Sequence, residues 1–242
     1  MATHRTIEFG GETVHIVGPM DGLLKALGAA ARMTHRPERL TLIVGEPGCG
    51  KTIGARIYAA AHPEETVLIE IPPASVMRPG RLLQLMETAL ELPVAGGHSL
   101  YDRLLAVCEE LRHHPKLMIF DEANRIRQSN YLDMLRYVHD VAGCRMAFIS
   151  IPSLQYVFEL HPEFGSRLQL RYSMKPLTAV EVAAVLPGLP AEVVEQIWQS
   201  SGGRPRSVMV IAELLKGVER KDQTADTVRR IARRFTMARA AA

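Results

Sequence analysis

The apolar residues of the first 150 positions follow two patterns that alternate along the chain. Short, mainly apolar runs, each typical of a buried strand, lie at 40–44, 66–71, 117–120 and 146–149. Apolar residues recur at helical spacing over 20–31, over 99–112 and in a segment that contains Tyr131, Met134, Leu135 and Val138. Parallel strands require long crossovers, which usually carry helices. The alternation therefore predicts an α/β core with a parallel sheet covered by helices.

Only the helical pattern continues after residue 174. Thr178 and Glu181 are spaced as a capping box, in which each side chain bonds the other residue's backbone N–H, and this predicts a helix start. Further helices are predicted around 193–198, from about 207 to 215, and over the arginine-rich end. We therefore predict two domains, an α/β core at 1–174 and a small all-helical domain at 175–242 that ends in a basic helix.

The composition is ordinary for a globular protein and argues against long disordered segments. Hydrophobic residues make up 47% of the chain and charged residues 23%. No run reaches the roughly 18 apolar residues that span a bilayer, and the polar start is unlike a secretory signal. The three cysteines, Cys49, Cys108 and Cys144, lie too far apart in sequence to form a CxxC pair. We expect a cytoplasmic protein with reduced thiols and no membrane partner.

The net charge of +3 is too small to indicate a nucleic-acid partner by itself. The charge is unevenly placed, because residues 229–239 contain five arginines and no acidic residue. A solvated helix face explains this stretch as well as a binding surface does.

The eight residues from 45 to 52 carry the phosphate-binding motif GxxxxGK[ST] between a predicted strand and a predicted helix. They are Gly45, Glu46, Pro47, Gly48, Cys49, Gly50, Lys51 and Thr52, and we call them the phosphate loop. The glycines let backbone N–H groups turn toward phosphate oxygens, Lys51 reaches the β- and γ-phosphates, and Thr52 binds magnesium. We therefore predict that these residues and Ile53 bind ATP with magnesium.

Two carboxylates follow the apolar strand at 117–120. Asp121 is expected to bind the magnesium ion, as the aspartate at this place does in phosphate-loop enzymes. Glu122 is expected to orient and deprotonate the water that attacks the γ-phosphate, which favours hydrolysis over phosphoryl transfer to a small molecule. The alternative is an ordinary polar strand end. The position of the pair, about 70 residues beyond the phosphate loop, favours the catalytic interpretation.

Four segments taken together carry a resemblance to a known family. They are GEPGCGKT, LMIFDEANR, AFISIPSL and SGGRPR, and they resemble those of an AAA+ ATPase. Within that superfamily the chain resembles the transposition helper ATPases, the group of the phage Mu B protein and its TniB and TnsC relatives, from about Leu40 to Leu215. The resemblance implies an ATP-dependent homo-oligomer, ring or filament, that binds duplex DNA largely without sequence preference and activates a transposase.

The resemblance also implies roles for three further residues. Ser150 matches the strand-end residue that senses the γ-phosphate, and a plain strand-end hydroxyl is the alternative. Arg206 matches the arginine at the start of a lid helix that contacts the nucleotide, against simple helix capping. Arg167 matches the arginine finger offered to a neighbouring subunit's ATP, with Arg171 as the second candidate.

Binding to DNA would require side chains that neutralise phosphates, and arginines in three places are candidates. They are the terminal arginines within 229–239, the pair Arg78 and Arg81, and the pair Arg125 and Arg127, and each group could instead be plain surface charge. Two other functions remain open at this stage. One is a secretion or assembly ATPase similar to the ExeA type, which does not act on DNA. The other is a small-molecule kinase, against which Glu122 and Arg206 argue.

Overall fold

The computed structural model of the chain describes residues 4–34, 39–93 and 99–240, with side chains described as far as residue 234. Its strands are β1 (Arg5–Phe9), β2 (Glu12–Ile16), β3 (Leu40–Gly45), β4 (Thr66–Glu70), β5 (Leu117–Asp121), β6 (Arg145–Ser150) and β7 (Leu168–Met174). Its helices are α1 (Gly18–Ala31), α2 (Lys51–Ala61), α3 (Pro79–Ala89), α4 (Leu100–His113), α5 (Ser129–Ala142), α6 (Ser153–Leu160), α7 (Pro162–Gly165), α8 (Ala179–Val185), α9 (Ala191–Ser201), α10 (Pro205–Lys216) and α11 (Ala225–Ala240). Short 3-10 helices lie at Ala74–Val76, Ala123–Arg125 and Arg220–Asp222.

Five strands form one sheet in the order β4-β5-β6-β3-β7. The pairs β4/β5, β5/β6 and β3/β6 are parallel, so the carboxyl ends of these strands meet at one edge. At that edge Val44 lies beside Ser150, and Glu70 lies beside Asp121. The predicted α/β core with a parallel sheet is confirmed.

The sheet belongs to a compact unit made of residues 22–45 and 51–173, which we call the sheet unit. Its core contains four phenylalanines that are at most 1% exposed: Phe120, Phe148, Phe158 and Phe164. The rings of Phe120 and Phe148 stack at 5.3 Å between centroids, and Phe164 meets Phe148 edge-on at 5.5 Å. Every residue of β3 and β5 is buried, because helices cover a parallel sheet on both faces. This burial explains why β3 and β5 are mainly apolar in the sequence.

A second compact unit, the helical unit, takes its described residues from 1–21, 46–50 and 174–242. Its core is aliphatic and includes Val182, Val193, Ile197, Val208 and Ile211, each at most 1% exposed. The predicted capping box starts α8: the Thr178 N–H donates to Glu181 at 2.8 Å, and the Glu181 N–H donates to the Thr178 hydroxyl at 3.3 Å. The predicted helices α9, α10 and α11 follow. The domain division between 174 and 175 stays a prediction.

Several elements carry a weaker sequence signal and are not among the predicted ones. The antiparallel hairpin of β1 and β2 joins the helical unit, and α3, α6 and α7 lie in the sheet unit. Strand β7 alternates half-buried and exposed residues, so its apolar positions never form a continuous run. Within the described residues no helix combines the length and the apolar character that crossing a bilayer requires.

Candidate nucleotide-binding site

The phosphate loop connects the end of β3 at Gly45 to the start of α2 at Lys51. Gly48 and Gly50 have φ values of +83° and +93°, which residues with a side chain rarely adopt. A Cβ atom at Gly48 would also come within 3.3 Å of the Cβ of Arg206. The first turn of α2 follows directly, and the N–H groups of a helix's first turn have no partner within the helix. Backbone amides and a positive helix end together form a cradle suited to phosphate.

The Lys51 ammonium group folds back over the start of the phosphate loop. Its Nζ donates a hydrogen bond to the carbonyl oxygen of Gly45 at 2.6 Å. A lysine in this position places a positive charge beside the loop backbone, where phosphate oxygens would add to its partners. The observed contact fits the predicted role of Lys51.

Thr52 and Asp121, the two predicted magnesium ligands, meet in the structure. The Thr52 hydroxyl and the Asp121 carboxylate are hydrogen-bonded, although the residues lie 69 positions apart in the sequence. Burial raises the pKa of Asp121, while the hydrogen bonds from Thr52 and from the Glu122 backbone oppose that rise. Hard oxygen ligands of this kind suit Mg²⁺, so the pair fits the ion.

Glu122 has a left-handed backbone conformation with φ of 56°, which is uncommon for a residue other than glycine. Its carboxylate forms an ion pair with Arg125, whose Nη2 lies 3.5 Å from Glu122 Oε2. Arg125 Nη1 also donates to the carbonyl oxygen of Ile71 at 2.5 Å, just beyond the end of β4. Arg125 therefore ties the Glu122 carboxylate to the neighbouring strand. Arg125 was predicted to bind DNA, and its pairing with Glu122 was not predicted, although the two opposite charges lie three residues apart in the sequence.

Ser150, the predicted sensor, ends β6 beside Val44 and is only 1% exposed. Its buried hydroxyl oxygen has no hydrogen-bond partner among the described residues. The side-chain oxygen of Asn124, two residues beyond Glu122, is likewise buried and without a partner in the described part of the chain. Buried polar atoms are almost always paired in folded proteins. These two oxygens are therefore suited to bonding a ligand, and sequence reasoning did not find Asn124.

Arg206 lies beside the phosphate loop within the helical unit. Its backbone N–H donates to the carbonyl oxygen of Gly48 at 3.1 Å, and its side chain is exposed. The turn before α10 depends on Gly203, which has a φ of +66° and where a Cβ would meet the Leu177 carbonyl oxygen at 2.2 Å. Arg206, which was predicted to contact the nucleotide, therefore lies next to the phosphate loop.

Arg167, the first candidate for the arginine finger, is engaged inside the protomer. Its Nε and Nη2 donate to the two carboxylate oxygens of Asp140, each at 2.8 Å, and its Nη1 donates to the Glu163 carbonyl. His139 Nδ1 is 2.9 Å from the same carboxylate. Burial by itself would raise the pKa of Asp140, but the hydrogen bonds from Arg167 and His139 lower it below its usual range.

Arg171, the second candidate, lies on β7 with its side chain exposed. Among the described residues no side chain forms a hydrogen bond or ion pair with it. A side chain free of partners can reach another molecule without first breaking a contact. Among the described residues Arg167 is thus already bonded to Asp140, whereas Arg171 has no bond to break before it contacts a neighbouring subunit.

Four of the arginines proposed for DNA differ in their exposure and in their internal contacts. Arg78 and Arg81 are exposed where α3 begins, after β4. Arg127 donates to the Asn124 carbonyl at 2.6 Å and to the Ser153 hydroxyl at 3.0 Å, and Arg125 bonds as described above. Because β4 and β5 are parallel neighbours, all four follow strand ends at the same edge of the sheet. Only Arg78 and Arg81 combine exposure with few internal contacts.

The comparisons with known proteins identify the domain and its fold. Residues 34–158, just over half of the chain, match the family described as AAA domain. The Aeropyrum pernix ORC2 protein in its ADPNP-ADP complexes is 18% identical with a TM-score of 0.59, over 88% of this chain and 65% of that one. Cdc6p from Pyrobaculum aerophilum is 15% identical with a TM-score of 0.62, over 85% of this chain and 62% of that one.

A third similar structure is the Aeropyrum pernix ORC1 protein in complex with DNA. It is 19% identical with a TM-score of 0.58, over 87% of this chain and 63% of that one. This chain therefore spans less than two thirds of the length of each of these three proteins, and identities this low establish a shared fold alone. No curated protein matches the sequence.

Proposed function

The chain belongs to the AAA domain family, and on that premise we propose that it is an ATPase that assembles on duplex DNA when ATP is bound and recruits or activates a transposase. The observation that carries the ATPase part is the hydrogen bond between Thr52 and Asp121. It joins the end of the phosphate loop to the carboxylate pair, which are the two parts that a phosphate-loop ATPase needs together.

Nucleotide binding rests on the phosphate loop. Its backbone N–H groups and the Lys51 ammonium group bind the β- and γ-phosphate oxygens, and Arg206 adds a forked pair of donors from its place beside Gly48. Thr52 and Asp121 would hold magnesium, which would neutralise charge on the phosphates. The buried hydroxyl of Ser150, which has no hydrogen-bond partner among the described residues, donates to a γ-phosphate oxygen.

Hydrolysis rests on Glu122, whose carboxylate takes a proton from the water that attacks the γ-phosphate. A general base must be held in one orientation, and the ion pair with Arg125 supplies that restraint. The left-handed backbone at Glu122 is consistent with a functional residue whose strained conformation is maintained by the surrounding structure.

Assembly would complete the site with an arginine from a neighbouring subunit. We propose Arg171 for this role ahead of Arg167, because Arg167 would have to give up two hydrogen bonds to Asp140 first. The guanidinium of Arg171 has no such contact among the described residues. An arginine supplied in trans stabilises the charge that develops on the transferred phosphoryl group.

The DNA and transposase parts of the proposal rest on other observations. One similar structure is of an ORC1 protein in complex with DNA, and Arg78 and Arg81 of this chain are exposed at the carboxyl edge of the sheet. The transposase part rests on the resemblance of the four sequence segments to the transposition helper ATPases. Phosphate contacts of this kind bind DNA without reading its sequence.

Sedimentation with long duplex DNA tests the assembly. With ATP or a non-hydrolysable analogue, the protein is expected to pellet with DNA cooperatively, because each weak contact is strengthened by neighbouring protomers. ADP or the substitution Lys51→Ala should leave it in the supernatant. A transposase partner would then bind the ATP-assembled form in preference to the ADP form. Protein that stays monomeric with ATP, low salt and long DNA would refute assembly and leave the ATPase proposal standing.

A further inference from the structure

Positive charge is concentrated in the last helix of the chain. Helix α11 contains five arginines and one aspartate, a net charge of +4, whereas the whole chain carries only +3. All other residues together are therefore close to neutral, at −1. A helix this basic in an otherwise neutral protein requires an explanation beyond general solubility.

The described arginines of α11 lie on the side of the helix opposite its packed face. Val228 and Ala232 are buried in the core of the helical unit, and Ile231 packs partly against it. The exposed arginines are Arg229, Arg230, Arg233 and Arg234. At 100° per residue these four span an arc of about 140° centred roughly opposite Val228 and its buried neighbours. They form one continuous basic face, which we call the α11 face.

Internal partners account for only part of this face. Arg229 bonds Asp226 at 2.5 Å and Gln196 at 2.7 Å, and Arg230 has one long contact to Thr227 at 3.4 Å. Arg233 and Arg234 form neither an ion pair nor a hydrogen bond with any side chain in the described part of the chain. Arginines four positions apart repel each other on a helix, so this spacing does not stabilise α11 by itself.

We propose that the α11 face binds the phosphate backbone of duplex DNA. Arg229 and Arg233, and likewise Arg230 and Arg234, are separated by about 6 Å along the helix axis, so that several guanidinium groups can engage successive phosphates along one strand. A membrane surface is disfavoured, because the apolar side of α11 is buried in the protein and cannot enter lipid. The inference rests on the proposed function, to which it adds a DNA-contacting surface remote in sequence from the phosphate loop.

The test compares two triple variants of equal charge. R230Q/R233Q/R234Q removes three positive charges from the α11 face, and the control K216Q/R220Q/K221Q removes three exposed positive charges elsewhere in the helical unit. Affinity for a fluorescent duplex of about 30 base pairs is measured across a range of salt concentrations. The α11 variant is expected to lower the slope of log affinity against log salt by about 2–3, since each phosphate contact contributes about 0.9.

Further measurements separate binding from folding. The α11 variant should keep the basal ATPase rate and unfolding temperature of the unsubstituted protein, because none of its three residues is buried. R230K/R233K/R234K keeps the charges and should retain most of the salt dependence.

Each remaining outcome decides against a specific claim. Equal salt slopes for the α11 variant and the unsubstituted protein would overturn the role of the face and leave DNA binding intact. No DNA binding by the unsubstituted protein would refute both this inference and the DNA-assembly part of the proposed function, and would leave the ATPase part standing. If the α11 variant lost binding only to vesicles rich in phosphatidylserine, the face would be assigned to lipid and the DNA inference would be wrong.

Discussion

The charged side chains near the carboxylate pair of the sheet unit differ in their contacts from the arginines of α11 in the helical unit. In the sheet unit Asp121 bonds Thr52, Glu122 pairs with Arg125, and Arg167 holds Asp140. In the helical unit the four described arginines of α11 are exposed, and two of them have no partner among the described side chains. Paired charges in a half-buried setting are held in one geometry, which chemistry on a single phosphate requires. Exposed charges produce a broad field instead, which suits a long anionic surface.

The largest expected effects are on ATP binding and on the rate of ATP hydrolysis, which two substitutions in the sheet unit should separate. Lys51→Ala should abolish saturable ATP binding, because it removes the cation beside the phosphate loop. Glu122→Gln should keep ATP binding and reduce the hydrolysis rate by about 10²–10⁴-fold, because it removes only the general base. Calorimetric titration with ATP and a phosphate-release assay measure the two quantities.

The contrast between these variants is what matters. Arg81→Gln serves as a control. The exposed Arg81 side chain bonds Gln84 at 2.8 Å and no other side chain in the described part of the chain, so this substitution should leave both quantities unchanged. Equal loss of ATP binding in the Lys51 and Glu122 variants would contradict the division of roles.

The second prediction sharpens the difference between a held and a free arginine. Arg171→Ala should lower ATP hydrolysis by the assembled protein about 10²-fold or more while leaving the unfolding temperature unchanged. Arg167→Ala should instead destabilise the sheet unit by about 1 kcal/mol, because Asp140 is partly exposed and water screens its pairing. Thermal unfolding and ATPase rates with and without DNA would separate them.

The opposite result would change which arginine is assigned as the finger. If Arg167→Ala abolished DNA-stimulated hydrolysis without changing the unfolding temperature, the finger would be Arg167, as the sequence analysis ranked it.

The smallest predicted effect concerns the buried carboxylate. Because burial raises the folded-state pKa of Asp121, its contribution to stability is complete at pH values below the unfolded pKa, near 3.8, and is lost as pH rises through the folded pKa. Asp121→Asn, which stays neutral, should therefore raise the unfolding temperature at pH 7 by about 2–4 °C for each kcal/mol gained. The gain should shrink on acidification, and magnesium-dependent hydrolysis should be lost.

Glu122→Gln is the matched control for this measurement, because it neutralises the next carboxylate, which is 44% exposed. A pH-independent gain in the Asp121 variant would show that burial of the charge is not its cause.

Local sequence determined the parts of this protein whose geometry is set within a few residues. The phosphate loop is one such part, since Gly48 and Gly50 adopt φ values that only glycine tolerates well. The capping box of Thr178 and Glu181 is another, and the strands β3–β6 followed from their mainly apolar runs. By contrast, β7 and the hairpin of β1 and β2 were missed, because half-exposed strands carry little apolar signal.

Only the tertiary structure decided which charged groups meet. Arg167 and Asp140 lie 27 positions apart, and Arg125 and Ile71 lie 54 apart. The contact of Arg206 with Gly48 likewise depends on how distant segments pack. The same holds for the burial of the Ser150 hydroxyl, which has no hydrogen-bond partner among the described residues. A spacing rule describes neighbours on one helix or loop, whereas these pairings arise from chain crossovers that no local pattern encodes. The sequence therefore determined which residue types the candidate site uses, and packing determined which of them are held and which stay free.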